Sequence, residues 1–272
     1  MWGNPMIYSF TQISQYLSCP RQYRYKYLEG WQQKDTRAAM LFGRCFENAL
    51  QAYFRNDDGA AVFFKEWEGH RDTALEYSKN ESWDKLYYQG IRLLERFVQD
   101  DRVKIDDPHK NLQVKLLRQL SQENQFVSFV DAIGEIDSTR RIIDWKTTTS
   151  RYVEEPVGLL RLDPQLVCYS WMSGIRSVAL VVFVRKNLPE IQYLTTSITD
   201  EQCEEYGELV RQTVSQIESG IFPPRSGIRF PHNACVSCSH LGMCLGNQHL
   251  IDSHLIRKPG AAALDWLEQL VD

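Results

Sequence analysis

The chain has 272 residues with 31 Lys and Arg against 35 Asp and Glu, a net charge of −4, so affinity for a polyanion must come from a local patch and not from the overall field. Hydrophobic residues make up 43%, enough for a sizeable core, and the longest apolar run, 178–184, falls far short of the ~20 residues that cross a bilayer. Seven cysteines do not suit a secreted disulfide framework, and Met1-Trp2-Gly3-Asn4-Pro5 lacks the basic-then-apolar order of a signal peptide; a cytoplasmic protein with no membrane association is expected.

In chain order, Ser9 to Ser14 offers helix caps, and Ile13, Tyr16 and Leu17 recur at helical spacing up to Cys19-Pro20, where the proline can begin a second helix. Arg21, Arg24 and Lys26 alternate with Tyr23, Tyr25 and Tyr27: either cations and rings for a nucleic-acid strand, or an amphipathic helix with tyrosines in the core. Residues 39–54 show a helical apolar stripe (Phe42, Phe46, Ala49, Leu50) that also carries Gly43 and Glu47. A helical, aromatic-rich insert over 55–108 ends at Asp106-Asp107-Pro108. The period then changes to two, predicting a meander of three strands from Leu112, from Phe126 to Ile136 and from Arg141 to Trp145. A helix over Leu162 to Ser173, a buried central strand at 178–184, another strand at Ile191 to Ile198 and a helix from Thr199 to about Glu218 follow. A cysteine-bearing loop and an amphipathic helix near Ala261 to Leu270 complete the reading.

Asp131 and Asp144 lie thirteen residues apart on adjacent predicted strands, and a turn near Asp137 to Arg140 sets them side by side. Lys146 shares a strand face with Asp144. Such a group either forms a surface ion pair or holds a divalent cation through oxygen ligands. Helical spacing also puts Gln165 and Tyr169 on one face.

The order Glu47, Asp131, Asp144-Trp145-Lys146, then Gln165 and Tyr169, resembles the PD-(D/E)XK nuclease superfamily; with Cys19, Cys235, Cys238 and Cys244 it is similar to the RecB-like branch found in AddB-type nucleases, exonuclease V and CRISPR-associated iron-sulfur nucleases. The resemblance implies an α/β fold, with a mixed central sheet flanked by helices, over residues 1–246, the helical insert within it, and a separate tail at 247–272. It implies that Asp131, Asp144 and Glu47 bind Mg2+ or Mn2+, that Lys146 orients the attacking water and offsets charge, and that Gln165 and Tyr169 face the site. The implied activity is a metal-dependent DNA nuclease, an exonuclease on single strands or DNA ends, in repair, recombination or defence, with a helicase or another such protein as partner. The alternative is a catalytically weakened module that binds DNA or a partner. One departure stands out: the family's G-x-x-H-E here reads Gly43-Arg44-Cys45-Phe46-Glu47, with Phe46 in the histidine position.

Four thiolates at C-x2-C-x5-C plus Cys19 suit zinc or a 4Fe-4S cluster, and the spacing does not separate them. The resemblance implies the cluster, joining the start of the chain to its end as a structural staple. Cys45, Cys168 and Cys203 fall on helical positions as small core residues, and His232 and His240 flank the loop.

Overall fold

The computed structural model describes residues 6–230 and 233–258, so the predicted helix near 261–270 lies outside the described residues. The principal elements are β1 (Met6–Ser9), α1 (Phe10–Ser18), α2 (Ala38–Phe54), α3 (Gly59–Glu68), α4 (Trp83–Val98), β2 (Leu112–Gln119), β3 (Asn124–Ile136), β4 (Thr139–Thr148), α5 (Pro164–Ser173), β5 (Ser177–Val184), β6 (Glu190–Ser197) and α6 (Asp200–Glu218). Among the described residues no helix is long and apolar enough to cross a membrane.

The chain divides into two compact units, one of residues 6–35, 117–127 and 207–258, the other of 36–116 and 128–206. In the first, Ser9 begins α1 with a capping box: its backbone N–H donates to Gln12 Oε1 at 2.9 Å while its hydroxyl accepts from the Gln12 N–H. β1 runs parallel to residues 124–127, a strand that periodicity over four residues does not announce. Tyr16 and Tyr23 are buried and pack with Phe222, and Tyr16 Oη donates to the Ile221 carbonyl at 2.6 Å. The strands Trp31–Gln33 and Leu255–Arg257 pair antiparallel, joining the two ends of this unit.

In the second unit the predicted meander is present, with β2 and β4 both paired to β3. Asp137 and Ser138 adopt φ values of 50° and 60°, a two-residue turn whose backbone twist suits the hairpin it closes. β5 is parallel to β4 and antiparallel to β6, and all but its first residue are buried, as expected of a central strand. The sheet is therefore mixed.

Alternation along β4 sends its side chains to two faces. Ile143 and Trp145 join Phe42, Phe46, Phe63, Leu86, Leu93 and Phe97 in the core made by α2, α3 and α4. Asp144 and Lys146, on the other side, reach α5. Helices thus flank both faces. Asp58 and Ser82 cap α3 and α4, and a buried ion pair between Arg185 and Glu81, at 3.0 Å, fastens the segment before α4 to the end of β5.

Candidate active site

The pairing of Ala132 with Ile143 makes Asp131 and Asp144 the next opposed positions on β3 and β4. Asp131 Oδ2 accepts the Trp145 backbone N–H at 2.8 Å, which fixes one carboxylate against the neighbouring strand. Asp144 is 1% exposed. Its Oδ1 accepts from the Tyr169 hydroxyl at 3.3 Å, while Oδ2 lies 2.5 Å from Lys146 Nζ in a close ion pair.

Lys146 Nζ donates to Gln165 Oε1 at 2.9 Å, and Gln165 Nε2 donates to Tyr169 Oη at 2.6 Å. The four side chains of Asp144, Lys146, Gln165 and Tyr169 therefore form a closed ring. Each amide atom of Gln165 has one partner in the ring, and this sets the amide's orientation. The i, i+4 spacing of Gln165 and Tyr169 puts both on the face of α5 turned to β4. Asp163 holds the start of that helix by accepting the N–H groups of Gln165 and Leu166, at 2.9 and 3.1 Å, with Pro164 in the first turn.

Three carboxylates share this site. Burial, then the charge of Asp144, pushes Glu47 up to about 7, with Lys146 pulling the other way. Burial, Asp144 and Glu47 hold Asp131 well above the carboxylate range against the Trp145 N–H and Lys146. Burial also raises Asp144, although Lys146 and Tyr169 oppose the shift. For Lys146, burial works against the charge, but Asp144, with Asp131 and Asp163, more than offsets it and the ammonium is held protonated. The site is thus a desolvated cluster of like charges with one lysine, short of positive charge.

Sequence reasoning named Glu47, Asp131, Asp144, Lys146, Gln165 and Tyr169, and the structure brings all six together. It missed Gln113 and Asp163. Gln113 Nε2 donates to Glu47 Oε1, and its backbone sits at φ 50°, an uncommon region for a residue with a side chain. Asp163 is close enough to raise both Asp144 and Lys146. The Asp163-Pro164 pair was a readable cap signal; nothing in the sequence marks Gln113. Phe46 points elsewhere. It is 1% exposed, 4.8 Å from the Phe183 ring and 5.7 Å from that of Phe42, within the α2–α4 core.

The other predicted group lies in the first unit. Cys238 is raised by burial first and then by Cys19, Cys244 and Cys235, so the four cysteines are gathered within electrostatic reach of one another. Cys19 occupies the junction between α1 and a short helix starting at Pro20. His240 is buried with both ring nitrogens engaged, Nε2 with the Trp31 carbonyl at 3.2 Å and Nδ1 near Gln22 and Ser239, and burial lowers its basicity. It acts as a core side chain, stacked on Tyr25. His232 lies outside the described residues. Of the basic and aromatic patch, Tyr23 belongs to the core, Arg24 pairs with Glu29, and Lys26 covers the Tyr27 ring. Cys45, Cys168 and Cys203 are buried. Among the described residues, no three or more His, Cys, Asp or Glu side chains stand at the distances of a formed metal site, in either unit.

The fold has a solved counterpart in a candidate exonuclease of Eubacterium rectale, at 13% identity over 82% of this chain and 85% of that one, with a TM-score of 0.51. The crystal structure of SSO0001 aligns with 80% of this chain and 87% of its own at 15% identity, with a TM-score of 0.37. No curated protein matches by sequence. The PD-(D/E)XK nuclease superfamily model matches residues 7–245, nearly the whole chain including all six clustered side chains, and the chain belongs to that superfamily.

Proposed function

We propose that the protein is a metal-dependent nuclease that hydrolyses phosphodiester bonds in DNA, acting as an exonuclease on single strands or ends. The observation that carries this reading is the Asp144–Lys146–Gln165–Tyr169 ring beside Asp131 and Glu47. Three carboxylates, Asp144, Asp131 and Glu47, crowd around the single ammonium of Lys146, and this cluster of hard oxygens, short of positive charge, suits Mg2+ or Mn2+. Asp131, Asp144 and Glu47 would hold such a cation, and when bound it supplies Lewis-acid stabilisation of charge on the phosphoryl group.

The chain's own residues do the rest. Lys146, kept protonated and held by Gln165, offers Nζ to a phosphoryl oxygen and positions the water that attacks. Tyr169 donates a hydrogen bond from its hydroxyl to Asp144 Oδ1 and so keeps that carboxylate aimed into the site. Gln113 does the same for Glu47. Because these partners are fixed before substrate arrives, little reorganisation accompanies the reaction.

The finer reading is of a RecB-like enzyme in which Cys19, Cys235, Cys238 and Cys244 hold a 4Fe-4S cluster, acting in repair, recombination or defence beside a helicase or similar partner. The placing of Cys19, Cys235, Cys238 and Cys244 in one unit supports a four-thiolate centre, and the resemblance to the RecB-like branch favours iron-sulfur over zinc. The odd number of cysteines, seven, supports a reducing, cytoplasmic setting. A second reading, a nuclease fold that binds DNA without cutting it, is favoured by Phe46, which puts a core ring where the family has a metal-binding histidine.

The test is incubation of anaerobically purified protein with end-labelled single- and double-stranded DNA, with and without Mg2+ or Mn2+. Wild-type protein is expected to cleave only with metal, and Asp144→Asn and Lys146→Ala are each expected to lose ~100-fold or more in rate while keeping the fold. Wild-type turnover by either variant rejects the site.

A further inference from the structure

A second cluster of chemistry lies outside the ring. Between α2 and α3 opens a cleft of about 680 Å³ lined by Arg44, Asn48, Lys65, Glu66 and His70. Among the described residues neither Arg44 nor Lys65 has a carboxylate partner within ion-pair distance. Glu66, the one acid in the lining, is taken up instead by Asn48, whose Nδ2 donates to its two oxygens at 2.9 and 2.8 Å. Arg44 Nη2 lies 3.1 Å from His70 Nε2, so the guanidinium donates to the imidazole and the ring N–H sits on Nδ1, facing Thr73. The cleft therefore presents two cationic groups held apart from the neighbouring acid.

Arg44 precedes Glu47 by three residues and Asn48 follows it on the same helix, so cleft and carboxylates occupy adjoining faces of α2. Three residues of helix, an axial rise of ~4.5 Å, separate Arg44 from Glu47, so the two backbone positions are neighbours along α2. We propose that this cleft is a subsite for a backbone phosphate of the DNA strand, next to the phosphate that is cleaved, with Arg44 and Lys65 as its donors. The proposal rests on the nuclease reading for the identity of its ligand. Arg44, with its fork of donors, suits a phosphate held in a fixed orientation; Lys65 adds a point charge.

The experiment measures anisotropy of a fluorescein-labelled single-stranded DNA oligonucleotide bound to the full chain in EDTA, across a series of salt concentrations. Arg44→Ala/Lys65→Ala is expected to weaken binding about ten-fold and to flatten the salt dependence by about 0.7 in slope for each phosphate that is no longer neutralised. Arg211→Ala, a cation in a surface pair with Glu208, is expected to bind as the wild type does. Arg44→Lys, which keeps the charge but not the fork of donors, guards against a folding artefact and should keep the wild-type salt slope while recovering part of the affinity. Wild-type affinity and slope in the double variant, or no binding by the wild type, overturns the subsite. Calorimetry with inorganic phosphate separates a free anion from a DNA backbone: saturable phosphate binding abolished in Arg44→Ala, with oligonucleotide affinity intact, also overturns it. Binding that depends on Arg44, without cleavage in Mg2+ or Mn2+, leaves the subsite standing and removes the nuclease reading. Metal-dependent cleavage with wild-type binding by the double variant does the reverse.

Discussion

Position 46 decides how far the family pattern carries over. A histidine there would reach a cation only if that face of α2 turned to Asp131, yet Phe46 is wedged among Phe42, Phe63 and Phe183. Phe46→His therefore places a polar ring in apolar packing and is expected to cost about 2–4 kcal/mol without changing the Mn2+ dependence of cleavage. Thermal melts and metal titrations of the two proteins check this; a lowered metal requirement with an unchanged melt would contradict it. Glu47, one residue on, gives a prediction in pH. Its pKa rises from 4.5 to about 7 in the folded protein, so between those values the native state binds more protons than the unfolded state. Stability from this group is present in full below about pH 4.5 and is lost as pH climbs through about 7. In EDTA the wild type is expected to lose melting temperature between about pH 5 and pH 8, and Glu47→Gln, which cannot ionise, to lose less. Parallel curves for the two proteins would show that Glu47 is not the desolvated group described here.

Helices α3 and α4 meet at Gly90, where a β-carbon would come within 2.2 Å of the Phe63 ring. Phe63 is fully buried and touches Phe42, Trp67 and Tyr87, so it has nowhere to retreat. Gly90→Ala gains ~1 kcal/mol of helix propensity but forces overpacking that costs ~1–3 kcal/mol, and a net fall in denaturant midpoint is expected. A rise would mean that the two helices are free to separate. The same elements show what a sequence discloses. The stripe of α2, the meander and the buried run of β5 were legible because burial repeats with a fixed period. Asp131, Asp144 and Lys146 were legible for the same reason, since a two-residue turn fixes their register. β1 was not, because four residues of strand owe their pairing to a segment more than a hundred positions away. Nor was Gln113, whose contact with Glu47 depends on a left-handed backbone that a glutamine does not advertise. Phe46 could be read only as a departure from a pattern; its direction required the neighbours.

The first unit is assembled from three separated stretches of chain, 6–35, 117–127 and 207–258. Such a unit carries a large loop-closure cost, because more than 200 residues separate Cys19 from Cys235. Some of that cost is met by the pairing of Trp31–Gln33 with Leu255–Arg257 and by the tyrosine cluster around Phe222. A four-thiolate centre would add a tie at the point where α1 ends, and its binding energy would be folding energy. On that reading a ligand distant in sequence should matter as much as one within the loop, since each would supply a quarter of the same centre. Cys19→Ser and Cys238→Ser are therefore expected to lower the melting temperature to a similar extent and to lose the bound metal together, whereas Cys203→Ser, at a buried helical position, should keep it. On the cluster reading the pure protein is brown, absorbs broadly in the visible and carries about four irons per chain. Metal analysis after anaerobic purification separates the outcomes. Stoichiometric zinc without iron replaces the cluster with a zinc centre but preserves the tie, and a full metal load in Cys19→Ser removes Cys19 from the centre and the staple with it.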